Sequence, residues 1–319
     1  MDKRIIVSKE NGGDFKSVED AIKSIHEKNK EWIEIFVRNG IYHEKLFIEK
    51  SFIKLIGESA YKTIITFNDY AKKKYSDGKN YGTFNSYTVF IGSDNVIVEN
   101  ITFENSSGSG DEFGQAIACY SDGDKHSFKN CRFLGSQDTL FIGPLPPSPI
   151  IPGGFFGPRE FAERIVGRHY FENCFIKGDI DFIFGSGSAF FKNCEIYSIN
   201  WDKEVNGFIT APSTPQGEKY GFVFYKCRLT GDARKESVFL GRPWREYAKC
   251  VFIECIMGEH IKKEGWDDWD KKDAQSKSFF GEYKNFGPGA TIENRVNWSK
   301  VLSEDEAGKI LLIEKFYLD

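Results

Sequence analysis

Two aspartates stand at matched positions in the chain. Asp138 falls eight residues after Asn130, and Asp181 falls eight residues after Asn173. Around them Phe128 matches Phe171, Phe133 matches Ile176 and Gly135 matches Gly178, with no gap. If these segments are neighbouring turns of a repeat, both aspartates stack on one face, about one strand spacing (~4.8 Å) apart. Two carboxyl groups that close cannot both ionise without a large penalty, so one keeps its proton at neutral pH. An ionised carboxylate beside a protonated one supplies a nucleophile or base next to an acid. Spacing alone leaves a second reading open, in which stacked aspartates only close turns or gather around a cation.

The surrounding residue types favour chemistry. Gln137 adjoins Asp138, and Gln115 lies in the apolar run Gly114-Gln115-Ala116-Ile117-Ala118. Amide donors beside a carboxyl pair can stabilise an oxyanion, although a lone Gln is more often a surface residue. Leu240-Gly241-Arg242-Pro243-Trp244 offers a guanidinium fork for a carboxylate and an indole that can stack on a sugar. An arginine beside Asp181 would favour its ionised form and leave Asp138 as the acid. Asp181 itself sits in Gly178-Asp179-Ile180-Asp181-Phe182-Ile183-Phe184-Gly185, which reads as a short buried strand. Strict alternation sets Ile180, Phe182 and Phe184 on one face and Asp181 with Ile183 on the other.

The elements that must hold these residues form a repeat. Ser127-Phe128-Lys129-Asn130-Cys131-Arg132-Phe133 is echoed at Tyr170 to Ile176, Phe190 to Ile196, Val223 to Leu229 and Val251 to Met257. Val98 to Phe103 is a weaker earlier copy. The shortest spacing, Asn173 to Asn193, is 20 residues. Short strands at that period point to stacked coils with one Asn per coil laddering at a bend. Helical runs between strands, which a two-domain α/β fold would need, are missing. A parallel β-helix is expected, all-β and forming one domain over residues 1–319. Earlier strands are read at Trp32 to Val37, Ile41 to Ile48, Phe52 to Ile56, Thr63 to Phe67, Tyr87 to Ile91 and Val96 to Phe103, with a polar loop over Tyr70 to Asn80. Ser17 and Asp20 mark the N-cap of a helix with Val18, Ala21, Ile22 and Ile25 on one face, expected to lid one end. Ser303-Glu304-Asp305-Glu306 predicts a capping box opening a short C-terminal helix. Six of the ten prolines fall between Gly143 and Gly167, a stretch that cannot continue the coil and must project as an insertion.

Composition narrows the partners. Thirty Phe and 31 Gly in 319 residues suit many short strands and turns. A formal net charge of −4 carries no polycationic signature, so no nucleic acid is expected. No apolar run is long enough to span a membrane. The N-terminus lacks a signal-peptide core, so a cytoplasmic location is expected, or secretion if a leader precedes this sequence. A monomer is expected. Seven cysteines without a CxxC pair suggest neither a disulfide framework nor a zinc knuckle, and five of them recur at one repeat position, as packing residues would. The five histidines show no metal spacing and no G-x-S-x-G elbow occurs, so neither a metal, a cofactor nor a serine nucleophile is expected.

Taken together, the motifs resemble those of the pectin methylesterases, family 8 of the carbohydrate esterases. The matching residues are Gly40-Ile41-Tyr42-His43-Glu44, Gly114-Gln115-Ala116, Gln137-Asp138-Thr139-Leu140, Asp181-Phe182-Ile183-Phe184-Gly185 and Leu240-Gly241-Arg242-Pro243-Trp244. Gly265-Trp266-Asp267-Asp268-Trp269 and Gly281-Glu282-Tyr283 are further echoes, in family order over nearly the whole chain. The resemblance implies a right-handed parallel β-helix that hydrolyses galacturonate methyl esters in pectin or methylated oligogalacturonides without a metal. It implies that Asp181 attacks the ester, that Asp138 protonates methanol and then activates water, that Gln115 and Gln137 hold the oxyanion, and that Arg242 orients the nucleophile. Trp244 would line the sugar groove with Phe182, Thr83 and Phe141. The chain departs from the family at Phe141, where Tyr is usual, at Pro212 of Thr210-Ala211-Pro212, at Ser186-Gly187, and in the Pro-rich insertion. The insertion is expected to wall one side of the cleft and restrict polymer access. Two alternatives are another pectin-acting β-helix enzyme, a polygalacturonase or lyase, and a non-catalytic carbohydrate-binding β-helix.

Overall fold

The structure, a computed structural model, describes residues 3–108, 110 and 112–318. Among the described residues, parallel strands form three sheets of 11, 8 and 7 strands. Each coil visits the three in turn. Arg168–Glu172 lies in the 11-stranded sheet, Phe175–Gly178 in the 8-stranded sheet and Ile180–Gly185 in the 7-stranded sheet, before Ser188–Lys192 begins the next coil. This is the parallel β-helix that the 20-residue repeat predicts.

The bend between the first two strands of a coil explains the Asn ladder. Asn100, Asn130, Asn173 and Asn193 all take φ between 51° and 56°, a left-handed conformation that Asn tolerates better than most residues. Lys226, Glu254 and Lys284 continue the same bend with φ of 53°, 52° and 46°. The backbone turn therefore outlasts the sequence signal for it. The same bend splits the expected strand Val96 to Phe103 into Val96–Glu99 and Thr102–Asn105, and a corner at Glu44 and Lys45 splits Ile41 to Ile48 into Gly40–His43 and Leu46–Ile48. A strand that ran straight through either corner would leave the coil.

Inside the coil, like residues stack on like. Phe128, Phe171, Phe191, Phe224 and Phe252 form a column with ring centroids 4.4–4.8 Å apart and interplanar angles of 12° or less. Such pairs add about 0.5–1.5 kcal/mol each beyond the area they bury. Cys131, Cys174, Cys194, Cys227 and Cys255 form a second column, buried and unbridged, each with its thiol near a carbonyl of the preceding coil. Val18–Lys23 closes the N-terminal end, with Ser17 accepting from the Asp20 amide and Val18, Ala21 and Ile22 buried. The Glu44 carboxylate also accepts from the amides of Val18 and Glu19, so the helix is capped from a neighbouring coil. The predicted capping box opens Glu304–Leu311, and a second short helix, Glu314–Leu318, follows it.

Candidate active site

The register that sequence spacing implied is the register of the sheet. Phe128 pairs with Phe171, Phe133 with Ile176, and Leu140 with Ile183. Asp138 and Asp181 therefore lie in adjacent coils, and the Asp138 amide donates to the Ile180 carbonyl at 3.1 Å. Both take a left-handed backbone, φ 64° and 50°, a conformation that is uncommon outside glycine and clusters at functional sites. Thr139 anchors the first of them by donating its hydroxyl to the Lys177 and Ser136 carbonyls at 2.9 and 3.2 Å.

The left-handed turn at Asp181 breaks the alternation expected of its strand. Pairing with Gly207–Pro212 slips between Ile180 and Ile183, a bulge that re-aims the side chains beyond it. Phe182 and Ile183 both enter the main core, and Phe184 emerges with Phe141 and Ala211 on the outer face. Phe182 is fully buried, which corrects its expected place in the sugar groove; Phe184 lines the cleft instead. Phe141 is corrected as well. It faces outward but is covered by Phe84, Tyr120 and Phe184, with ring centroids 4.6–5.2 Å away and no exposed surface.

The remaining expected residues converge. Thr83, Gln115, Gln137, Asp138, Asp181, Arg242 and Trp244 line one cleft of about 260 Å³. Gln115 and Gln137 are held by their backbones, the Ala116 amide donating to the Gln137 carbonyl at 3.0 Å. Their side-chain amides make no hydrogen bond among the described residues and so remain open to a ligand. Arg242 grips Asp181 with both arms, Nε to Oδ1 at 2.8 Å and Nη2 to Oδ2 at 2.7 Å. Its guanidinium is itself held between the rings of Phe208 and Trp269, 3.7 Å from each centroid. This sandwich fixes the plane of the fork and excludes water from both faces.

Equal burial separates nothing here, since both aspartates are 7% exposed. The charges around them do. Burial raises both carboxyls above their ordinary range. At Asp138 the charge of Asp181 adds to that rise, and Arg242 opposes it only through space. At Asp181 the hydrogen-bonded Arg242 fork and the nearby Lys271 both oppose it. Asp138 is consequently held well above the carboxylate range and Asp181 is the first of the pair to ionise.

Four contributors escaped the sequence reading. Phe84 and Trp269 line the cleft. Trp269 was visible only as part of the Gly265 to Trp269 echo. Lys271 donates to the carbonyls of Pro243 and Trp244 at 2.8 and 3.3 Å and lies 3.8 Å over the Trp269 ring; burial and the neighbouring Arg245 and Arg242 lower it to about 8. Asp179, buried just before the Ile180–Gly185 strand, accepts from the Ile180 amide and from Trp201 Nε1, both at 2.5 Å. Among the described residues, no group of three or more His, Cys, Asp or Glu is arranged to hold a metal ion.

The chain that carries this arrangement matches known proteins along nearly its whole length. The Pectinesterase family model matches residues 4–144 and 164–316. The chain belongs to the pectinesterase family. It is 35% identical to Pectinesterase QRT1 of Arabidopsis thaliana over 321 residues, 99% of this chain and 77% of that protein. Among solved structures, pectin methylesterase from carrot superposes with a TM-score of 0.80 at 29% identity, covering 95% of this chain and 89% of that one. A pectin methylesterase in complex with a hexasaccharide superposes with a TM-score of 0.79 at 29% identity, covering 97% and 95%. The residues that the family model skips, 145–163, lie within the Pro-rich insertion.

Proposed function

We propose that this pectinesterase-family chain hydrolyses the methyl esters of galacturonate residues in pectin or methylated oligogalacturonides, releasing methanol, with Asp181 as nucleophile and Asp138 as acid and base. The observation that carries the reading is the asymmetry of the pair: Asp181 clamped by Arg242, Asp138 buried beside it with no cation in contact among the described residues. The names of the relatives and the hexasaccharide complex support the substrate.

Each step follows from the side chains present. The Asp181 carboxylate attacks the ester carbonyl, and the amides of Gln115 and Gln137 donate to the oxygen on which charge develops. Collapse of the tetrahedral adduct breaks the bond to the methoxy oxygen, which takes the proton of Asp138 and leaves as methanol. The product is an anhydride between Asp181 and the galacturonate. Asp138, now ionised, removes a proton from water as the water attacks that anhydride, which regenerates both aspartates in their starting states and frees the galacturonic acid carboxyl, whose remaining proton passes to solvent to give galacturonate. Arg242 holds the attacking oxygens in one plane throughout and stabilises the carboxylate each time it is released.

The deciding experiment is methanol release from methylated pectin with a chelator present and chain length monitored. Methanol without chain cleavage supports the esterase. Chain cleavage would favour a glycosidase or lyase, and full activity in Asp181→Ala would overturn the mechanism.

A further inference from the structure

The sheet that carries the site runs in the order Leu46–Ile48, Val89–Ile91, Cys119–Ser121, Leu140–Ile142, Ile180–Gly185, Gly207–Pro212, Val238–Gly241. Thr83, in the turn before the second strand, and Trp244, after the last, both line the cleft over this sheet. The insertion leaves from the C-terminal edge of the sheet, directly after Ile142. It then crosses the face to the opposite edge, where the Phe156 carbonyl accepts from Asn85 Nδ2 at 3.1 Å in the turn preceding Val89–Ile91. Gly157 presses on that turn so closely that a Cβ there would lie 2.8 Å from the Phe84 Cβ and 2.9 Å from the Phe84 carbonyl oxygen. On the way the Phe155 ring wedges between Phe84 and Trp244, at centroid distances of 5.7 and 6.3 Å. Gly154 faces the same cleft as the two aspartates.

The strap is built as a fixed wall. Leu145 and Phe155 are buried. Arg164 gathers the carbonyls of Pro146, Arg159, Glu160 and Ala162 at 2.6–3.3 Å, so one guanidinium ties the two ends of the insertion together. Arg245 Nη2 donates to the Ser148 carbonyl at 3.1 Å, and Arg159 pairs with the buried Asp122 at 3.1 Å. Six prolines reduce the freedom that the unfolded loop would otherwise lose on ordering. The cleft it leaves, about 260 Å³, is below the roughly 300–1,000 Å³ of a pocket for a drug-sized ligand.

We propose that the strap closes one end of the cleft, where Phe155 packs between Phe84 and Trp244, so that galacturonan reaches Asp138 and Asp181 only by inserting a chain end, and that this esterase therefore acts on chain termini and short methylated oligogalacturonides in preference to the interior of long polymers. The proposal rests on the esterase reading above. It differs from a wall along one side because a chain passing through the site would have to cross the Phe84–Phe155–Trp244 contact.

The test compares methanol release at equal ester concentration from a long methylated galacturonan and from the same material cut to trimers through hexamers. Initial rates should rise in proportion to the number of chain ends, roughly tenfold for chains about a tenth as long. Phe155→Ala, and separately Gly157→Val, which pushes the strap off Phe84, should each raise the polymer-to-oligomer rate ratio by roughly fivefold or more. Equal rates per ester on long and short chains in the unaltered enzyme would overturn the proposal whether or not either variant folds. A wild-type preference for short chains that neither folded variant relaxes would overturn the strap's part in it. Methanol from neither substrate would instead refute the esterase reading itself, before any ratio is formed.

Discussion

The segments around Asp138 and Asp181 are near copies in backbone and nearly opposite in surroundings. Both aspartates sit in adjacent coils, both take a left-handed φ and both are 7% exposed. Among the described residues only Asp181 of the two has a cation in contact, and that cation is locked between Phe208 and Trp269. Repetition thus sets where two like groups stand, and the single unrepeated arginine sets what each can do. A β-helix makes this division natural, because stacking dictates position coil by coil while side chains at the coil edges remain free to differ.

Removing the proposed nucleophile should break the comparison most severely. Asp181→Ala is expected to lower kcat on the order of 10⁴-fold or more, with the folded state intact by circular dichroism, since a group acting as a unit with its partners takes most of the catalysis with it. Asp138→Asn should follow, costing about 10²–10⁴-fold on methyl esters through loss of the acid. The two variants separate on an aryl ester, whose leaving group needs no proton. There Asp138→Asn should still release about one equivalent of phenol in a burst and then stall with the acyl group on Asp181, because the base for water is missing. Steady turnover without a burst would contradict the assignment of roles.

Loosening the clamp should blur the asymmetry without abolishing it. Arg242→Gln is expected to reduce kcat/KM by about 10²-fold and to move the acid limb of its pH profile upward. The sign follows from the causes of the shift: Arg242 opposes the rise that burial imposes on Asp181, so its loss raises that group further. In the proposed mechanism only ionised Asp181 attacks, so activity should then begin at higher pH. An acid limb that stays in place would mean that another group controls it.

Much of this was legible because a β-helix writes its geometry as repetition. The Asn and Cys positions set the coil spacing, and the gapless match from Phe128 to Asp138 against Phe171 to Asp181 places the carboxyls side by side. Arg242, Gln115, Gln137 and Trp244 were legible as residue types in distinctive runs. The failures are equally physical. Alternation misplaced Phe182 because it assumes an unbroken strand, and the left-handed turn at Asp181 inserts a bulge that exchanges Phe182 for Phe184 in the cleft. Phe141 faces outward as alternation allows, but Phe84 from a distant turn covers it. The prolines of the insertion announced that it must project, yet nothing in a Pro-rich run says that it crosses the sheet to Asn85.

The smallest expected effect sharpens the comparison at a third position. Forty-three residues separate Asp138 from Asp181, and the same step carries Ser136 to Asp179, so the second coil has an extra carboxyl where the first has a hydroxyl. Asp179 is buried and raised to about 6, by burial first and also by the charge of Asp181, against the opposing bonds from Ile180 and Trp201. Native protein therefore holds a proton there between about pH 4 and 6 that the unfolded chain has already lost. With the native state binding more protons, stability must fall as pH rises through that window and level off above it. The drop assignable to this group is at most about 3 kcal/mol, from roughly two pKa units. Asp179→Asn removes the titration while keeping an oxygen for Trp201. Its stability relative to wild type, measured by urea unfolding from pH 4 to 7, should climb across the window and plateau near neutrality. Parallel curves would show that Asp179 ionises as easily in the folded protein as in the unfolded chain, and would leave the Trp201 contact as its only distinction from Ser136.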